Sequence, residues 1–342
     1  MPPLFLGLAV VIIAALFQGS FAVPMAYART WKWENSWMAF SVFGMIVFNL
    51  LFALASIPNL FEIYRGAAPV EFAVPLLFGV LYGLGAVMFG LGLAAVGFAL
   101  GYAIMLGMVL GMGAFIPMAA LHPGEILTIK GALVLTGLAV TLAGIGVSGY
   151  AGIRKEREQG GSAGEITRIS KVSMRTGIII CLMSGLFSSS INIGFSLARP
   201  LVESALAFGA PEIWAGNVIW VILFSSGGVL NILYCARLMK RNGTVSSYSA
   251  PGSARNLLLL LCMSAMWIGS FILYGVGATM MGPWGTVIGW SVYMALSIAV
   301  ANCWGIAQGE WRGASRITKL IMAQGAGILL CAIIVFAYSG TI

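Results

Sequence analysis

Long apolar runs occupy almost the whole chain. Hydrophobic residues make up 60% of the 342 residues and charged residues only 8%, and there is no aspartate. About 20 apolar residues in a helix cross the hydrocarbon core of a bilayer. The sequence therefore predicts an all-α integral membrane protein of ten transmembrane helices with no separate soluble domain. The ten segments are roughly 4–27, 36–57, 72–94, 97–121, 131–152, 176–198, 212–236, 256–277, 283–307 and 317–339.

One stretch of ten residues occurs twice. Residues 81–90 and 273–282 are identical at seven of ten positions, and shorter matches pair segment 1 with segment 6 and segment 4 with segment 9. Ten segments divide into five and five, and an odd number of helices per repeat makes the second copy sit upside down. We predict two inverted five-helix repeats, residues 1–152 and 176–342, joined by a cytoplasmic linker loop at 153–175. The spacings Gly79-xxx-Gly83 and Gly97-xxx-Gly101 predict that segments 3 and 4 pack tightly together.

The positive charges are distributed unevenly between the loops. Fifteen of the eighteen Lys and Arg residues lie in the odd-numbered loops, and basic loops of membrane proteins stay in the cytoplasm. The sequence thus predicts cytoplasmic odd loops and two periplasmic termini. In a soluble protein the net charge of +8 would suggest a nucleic acid, but here it reports orientation in a lipid bilayer, and no nucleic-acid partner is expected.

Aromatic and polar side chains recur at helical spacing in several segments. Segment 8 places Trp267, Ser270 and Tyr274 on one face, and segment 9 does the same with Trp290 and Tyr293. Such faces can stack on and hydrogen-bond a neutral polyhydroxylated molecule, although similar stripes also hold helices together. The residues predicted to bind a substrate in one central cavity are Gln18, Tyr82, Tyr102, Ser188, Asn192, Trp267, Ser270, Tyr274, Trp290 and Tyr293.

Ionisable residues are missing from the middle of every segment. A proton-coupled carrier normally keeps an ionisable group inside the membrane, so this absence favours a neutral or weakly charged substrate and leaves the coupling ion open. Any proton coupling would then use a carboxylate at a helix end, and Glu71, Glu212 and Glu310 are the candidates, unless all three are solvated anchors. His122 is expected to be an ordinary surface residue. No catalytic or metal-binding motif is present, so we expect neither an enzyme nor a cofactor.

Several short motifs resemble a known family. They are Trp31-Lys32-Trp33-Glu34, Gly83-Leu84-Gly85, Ala198-Arg199-Pro200, Ile288-Gly289-Trp290 and Glu310-Trp311. With the length and the ten segments, they make the chain similar to the L-rhamnose–proton symporter family of the drug/metabolite transporter superfamily. The resemblance implies proton-driven uptake of a deoxyhexose or related sugar across the inner membrane of a bacterium. The chain departs from the family pattern at Ala86 and Met88, where the pattern has asparagines, and at Ser270, where it has a glutamine.

Two alternatives stay open at this level. The chain could export or equilibrate another small metabolite, or it could be a structural membrane subunit that transports nothing. A polar cavity between the halves favours a carrier, and a solidly packed apolar interior favours the subunit.

Overall fold

All regular elements in the described part of the chain are helices. The computed structural model describes residues 3–160 and 173–342, except for the side chains of Ala94 and Phe98. Within these residues ten helices are long and apolar enough to span a membrane, which confirms the predicted fold class. We label them α1 to α10: Pro3–Ala26, Trp33–Ser56, Pro69–Leu93, Ala99–Leu121, Ile129–Glu158, Met174–Ala207, Asn217–Asn242, Ser253–Met280, Gly285–Ala307 and Arg316–Ser339.

Two of the ten helices are interrupted in the same way. Helix α1 consists of Pro3–Ser20 and Val23–Ala26, and α6 consists of Met174–Leu197 and Arg199–Ala207. In both, a proline stands in the first turn of the second piece, where its missing N–H is not needed for the helix. Helix α9 opens with a π-helical turn at Gly285–Gly289 and α2 has another at Ser41–Val47. A short helix, Leu60–Gly66, connects α2 to α3.

The most extensive helix contacts form matching pairs. Helix α3 packs on α6 as α8 packs on α1, α4 packs on α6 as α9 packs on α1, and α3 packs on α7 as α8 packs on α2. Contacts between α4 and α5 likewise correspond to those between α9 and α10. The pairs α5–α10, α2–α7 and α4–α9 each consist of two helices five places apart, so the exchange leaves each of these pairs as it is. The contact pattern is therefore unchanged when each helix is exchanged for the helix five places away. The two halves are also interleaved, because α1 and α6 each pack mainly on the opposite half.

Glycines allow the closest of these approaches. A Cβ atom at Gly83 of α3 would lie 2.8 Å from the carbonyl oxygen of Gly227 on α7, and one at Gly277 of α8 would lie 2.8 Å from the carbonyl oxygen of Gly7 on α1. Gly79 also faces α7. Since small residues let helix backbones meet in lipid, these contacts fix the neighbours of α3. The expected tight pair of segments 3 and 4 is wrong in this respect, because Gly79 and Gly83 face α7 and not α4.

The two ends of the helix bundle are named here by the loops that they carry. The linker end is where α5 ends at Glu158 and α6 begins at Met174. The opposite end is where α4 ends at Leu121 and α9 begins at Gly285. The predicted linker loop 153–175 starts inside α5, and its residues 161–172 lie outside the described part of the chain.

Candidate functional site

A cavity lies between the two halves at the linker end. Its volume is about 180 Å³, and it is bounded by the C-terminal parts of α1, α5 and α9, the N-terminal part of α4 and the loop after α9. Both halves thus contribute to one cavity, and most of its wall is apolar. The polar side chains in its lining are Gln18, Tyr102, Ser148, Lys155, Glu156, Ser297, Asn302 and Glu310.

Two polar atoms of the lining residues have no hydrogen-bond partner within the described chain. They are Asn302 Nδ2 on α9 and Ser148 Oγ on α5, and both atoms are buried. Buried polar groups of folded proteins are normally paired with protein or water. The two groups come from different halves of the chain, and Ser148 Oγ lies against Gly325 of α10.

Charged side chains are confined to the mouth of the cavity. Lys155 Nζ lies 4.0 Å from Glu310 Oε2 and 5.0 Å from the ring centroid of Trp311. Glu156 Oε1 accepts a hydrogen bond of 3.1 Å from the backbone N–H of Ala99, at the N-terminus of α4, where a negative charge is favoured. The charges at the mouth are thus engaged with partners, and the deeper lining is neutral.

A layer of packed aromatic rings closes the path between the cavity and the opposite end. The rings of Trp220 and Phe195 stack with centroids 4.2 Å apart, and Phe224 lies 4.5 Å from Trp267. Tyr274 lies 5.1 Å from Tyr293. All these side chains are buried. We call this set the aromatic layer: Phe195, Trp220, Phe224, Trp267, Phe271, Tyr274, Trp290 and Tyr293.

Hydrogen bonds tie the aromatic layer to four helices. Asn192 Nδ2 on α6 donates to the carbonyl oxygen of Gly113 at 2.7 Å and to that of Thr286 at 2.9 Å. Its Oδ1 accepts a hydrogen bond from the Tyr274 hydroxyl. The indole N–H of Trp290 donates to the carbonyl oxygen of Val109 at 3.2 Å. Helices α4, α6, α8 and α9 are therefore held together in this layer.

Gln18 connects the layer to the cavity. It lines the cavity, and its Oε1 accepts a hydrogen bond of 2.8 Å from Ser270 Oγ. Ser270 Oγ in turn lies 2.9 Å from the hydroxyl oxygen of Tyr293. Gln18 thus lies in the cavity wall and is hydrogen-bonded to the aromatic layer through Ser270.

The predicted substrate residues separate into three groups. Gln18 and Tyr102 line the cavity. Tyr82 and Ser188 lie at the contacts of α3, with Tyr82 against Phe224 and Ser188 against Gly85. The other six belong to the closed layer or its hydrogen bonds: Asn192, Trp267, Ser270, Tyr274, Trp290 and Tyr293.

The three predicted coupling carboxylates also lie apart. Glu310 is at the mouth of the cavity. Glu71 is at the opposite end, where its Oε2 accepts a hydrogen bond of 3.1 Å from Ser204, and Glu212 is exposed in the loop before α7.

Five polar residues of the cavity lining are absent from the sequence-based set: Ser148, Lys155, Glu156, Ser297 and Asn302. Asn302 carried a usable signal, because it is an amide within an apolar segment. Ser148 is a single hydroxyl in a glycine-rich helix, and Glu156 belongs to a run of charges at the end of α5. Neither pattern distinguishes a lining residue from an ordinary one.

Comparison with known proteins gives the family. The sequence profile described as L-rhamnose-proton symport protein matches residues 3–339. The chain belongs to this family. Relatives named L-rhamnose-proton symporter include those of Escherichia coli O1:K1 / APEC and Shigella boydii serotype 18 (strain CDC 3083-94 / BS512). Each is 24% identical over 328 residues, covering 94% of this chain and 94% of the relative.

Membership of the L-rhamnose-proton symport protein family settles the broad class. Its named members are symporters, so the expectation of a membrane transporter and not an enzyme is confirmed. The cavity between the halves, which has polar side chains in its lining, also favours a carrier over a structural subunit.

Proposed function

We propose that this chain carries L-rhamnose or a related neutral monosaccharide into the cytoplasm together with a proton, by alternating access. The observation that carries the proposal is the cavity itself, which is neutral in its depth, open at one end and closed at the other by the aromatic layer. Carriers place their site between two halves that rock about it. Membership of the symport family and the names of the relatives support the sugar and the proton.

The lining suits a polyhydroxylated solute. The amides of Gln18 and Asn302 can each donate and accept hydrogen bonds. Tyr102 and Trp311 supply rings on which the apolar face of a sugar can pack. Lys155 pairs with Glu310, and Glu156 accepts a hydrogen bond from the Ala99 backbone N–H, so each charged side chain of the lining already has a partner.

We further propose that the linker end faces the cytoplasm and that both termini face the periplasm of a bacterial inner membrane. The fifteen basic residues of the odd loops support this orientation. With it, the cavity opens to the cytoplasm and the aromatic layer closes the periplasmic side. The structure then corresponds to the cytoplasm-open form of the transport cycle.

The inverted repeat, residues 1–152 against 176–342, is likewise a proposal. The matching of helix contacts under exchange of helices five places apart supports it, as do the equivalent breaks in α1 and α6. It is also the organisation implied by the drug/metabolite transporter superfamily. A second conformation would then be reached by exchanging the roles of the two halves, which opens the periplasmic side and closes the cytoplasmic one.

Uptake into proteoliposomes tests the function. Purified protein should accumulate radiolabelled L-rhamnose above the outside concentration when an inward proton gradient is imposed, and only equilibrate it without the gradient. Asn302→Ala should reduce uptake at least tenfold, because it removes an amide of the cavity. Cys303→Ala, which changes the adjacent and exposed position, should leave uptake unchanged.

Other outcomes contradict specific parts of the proposal. Equilibration without accumulation under the gradient would show a uniporter. Failure of unlabelled L-rhamnose and related monosaccharides to raise the unfolding temperature, as a ligand of the folded state must, would exclude them as substrates.

A further inference from the structure

The only histidine of the sequence lies in a cluster at the opposite end of the bundle. His122 is 8% exposed, and its ring stacks on the indole of Trp284 with centroids 4.2 Å apart and planes 15° apart. The expectation that His122 is an ordinary surface residue is therefore wrong. No local pattern indicates the partner of His122, because Trp284 is more than 160 positions away in the sequence.

The cluster joins the two halves of the chain. His122 and Glu125 follow α4, whereas Pro283 and Trp284 precede the first helical turn of α9. His122 Nε2 lies 3.1 Å from the carbonyl oxygen of Pro283, and His122 Nδ1 lies 3.1 Å from Glu125 Oε1. Trp284 Nε1 donates a hydrogen bond of 3.2 Å to Glu125 Oε2.

These contacts close the opposite end of the bundle, whereas the cavity opens at the linker end. They lie beyond the aromatic layer, on the side away from the cavity, and they connect the α4–α5 loop to the α8–α9 loop. Opening a path at this end requires the two loops to separate, which breaks the bond between His122 and Pro283 and the bond between Trp284 and Glu125. We call these four residues, His122, Glu125, Pro283 and Trp284, the latch.

The protonation of the pair decides how many of these contacts are hydrogen bonds. A carbonyl oxygen and a carboxylate only accept hydrogen bonds. A neutral His122 beside a carboxylate at Glu125 has one N–H, which can donate to Pro283 or to Glu125 but not to both. One added proton, on His122 or on Glu125, allows both contacts to be hydrogen bonds.

We propose that His122 and Glu125 form the proton-binding site of the gate at this end, and that binding the proton closes the gate. Histidine changes charge in the pH range of living cells. The Glu125 side chain is 49% exposed, so a proton reaches the pair from the adjacent water and returns there when the gate opens. No covalent bond between heavy atoms changes in this step.

The charges around the pair are few. Glu125 faces the ring from its own loop, and Lys130 at the start of α5 lies with its Nζ 5.3 Å from the Trp284 ring centroid. The α8–α9 loop contributes the uncharged Pro283 carbonyl and Trp284. Glu125 therefore compensates the added positive charge, and the positive charge of Lys130, which contacts the Trp284 ring, opposes it.

The inference rests on the proposed function only for the side of the membrane from which the proton is taken up. If this end faces the periplasm, closure takes up the proton from the side on which protons enter during uptake. The gate itself should respond to pH with no sugar present. The closed-to-open ratio should rise by up to tenfold per unit fall in pH across the titration, as for one linked proton.

The experiment measures the distance between the two loops. The five natural cysteines are replaced by alanine, and spin labels are placed at Leu127→Cys and Thr279→Cys, two exposed positions on either side of the latch. Double electron–electron resonance distances are recorded in lipid nanodiscs between pH 5 and pH 8 without sugar. The short-distance population should increase as pH falls.

Two variants distinguish closure that requires a bound proton from closure that requires only the contacts between the two loops. In Glu125→Gln the amide N–H₂ can donate to Nδ1 of a neutral His122, and the amide oxygen can accept from Trp284, so the latch closes without the extra proton. This variant should show the short distance at every pH. His122→Ala should show the long distance at every pH. Glu203→Gln, an exposed carboxylate paired with Arg199 at 3.2 Å, should behave as the wild type.

Two results would overturn the proposal. One is a wild-type distance distribution that is the same at all pH values. The other is Glu125→Gln retaining the full pH response. Because no sugar is used, a missing pH response with intact uptake would contradict only the latch, and an intact pH response without uptake would contradict only the proposed function.

Discussion

Asn192 can be used to test whether a residue of the predicted stripe binds substrate or stabilises the closed aromatic layer. The sequence stripe predicts a substrate ligand, whereas the structure gives its amide three partners on three other helices: Gly113 on α4, Tyr274 on α8 and Thr286 on α9. The substitution Asn192→Leu keeps the approximate volume of the side chain and removes all three interhelical hydrogen bonds. It also leaves the Tyr274 hydroxyl without its amide acceptor.

The expected loss of stability follows from the number of bonds. Interhelical hydrogen bonds in membrane proteins average about 0.6 kcal/mol each, so three of them contribute about 1.8 kcal/mol. We expect Asn192→Leu to lower the free energy of unfolding by about 2 kcal/mol. The sugar-induced stabilisation of the folded fraction should stay as in the wild type, since Asn192 does not line the cavity.

Reversible denaturant unfolding in mixed micelles gives the free energy, with and without saturating L-rhamnose. Ser196→Ala is the matched control, because it lies one turn further along α6 and its Oγ donates only to the Asn192 main-chain oxygen. It should change the free energy of unfolding by less than about 0.5 kcal/mol. An unchanged free energy for Asn192→Leu, combined with loss of the sugar effect, would refute the structural reasoning and restore Asn192 as a substrate ligand.

Two further predictions concern the frame around the site. Gly83→Ala should lower the free energy of unfolding by about 1–3 kcal/mol, because its Cβ would lie 2.8 Å from the Gly227 carbonyl oxygen. Gly90→Ala on the same helix meets nothing within 4 Å and should not lower it, and equal losses for both variants would contradict the packing of α3 on α7. Glu158→Gln should speed hydrogen exchange at the start of α10, since Glu158 accepts bonds of 2.7 Å from the Ser315 backbone N–H and 2.8 Å from its hydroxyl. Unchanged exchange there would show that this carboxylate does not hold the helix end.

Local sequence patterns were sufficient for the helices but not for their partners. Hydropathy is a property of neighbouring residues, so all ten spans could be predicted from composition alone. The end of α5 was predicted too early, at residue 152, because its last turns are charged. In the structure the helix continues to Glu158, whose Oε1 accepts a hydrogen bond of 3.0 Å from Arg154 one turn before, a pairing that supports helix in water.

The same limit explains the predicted site. Helical spacing correctly places Trp267 and Tyr274 on a common inward face, but it does not say whether that face meets a cavity or other side chains. In this conformation it meets the rings of α7 and α9. Asn302 and Glu156 line the cavity because α9 and α5 meet α1 and α4 around it at the linker end. That arrangement is a property of the whole bundle and is not encoded in any one helix.

The two ends of the proposed path differ in their titratable groups, and this difference bears on which gate responds to pH. At the cavity mouth Lys155 pairs with Glu310, and Glu156 accepts a hydrogen bond at the N-terminus of α4. At the opposite end the latch contains His122, the one histidine of the sequence, and histidine is the residue type whose charge ordinarily changes near neutral pH. If the latch binds a proton as proposed, the gate at that end responds to the pH of the side that it faces. Because that proton is taken up and returned on the same side, it does no work against a gradient. The net movement of protons that sugar accumulation requires must use a group that is exposed to each side in turn.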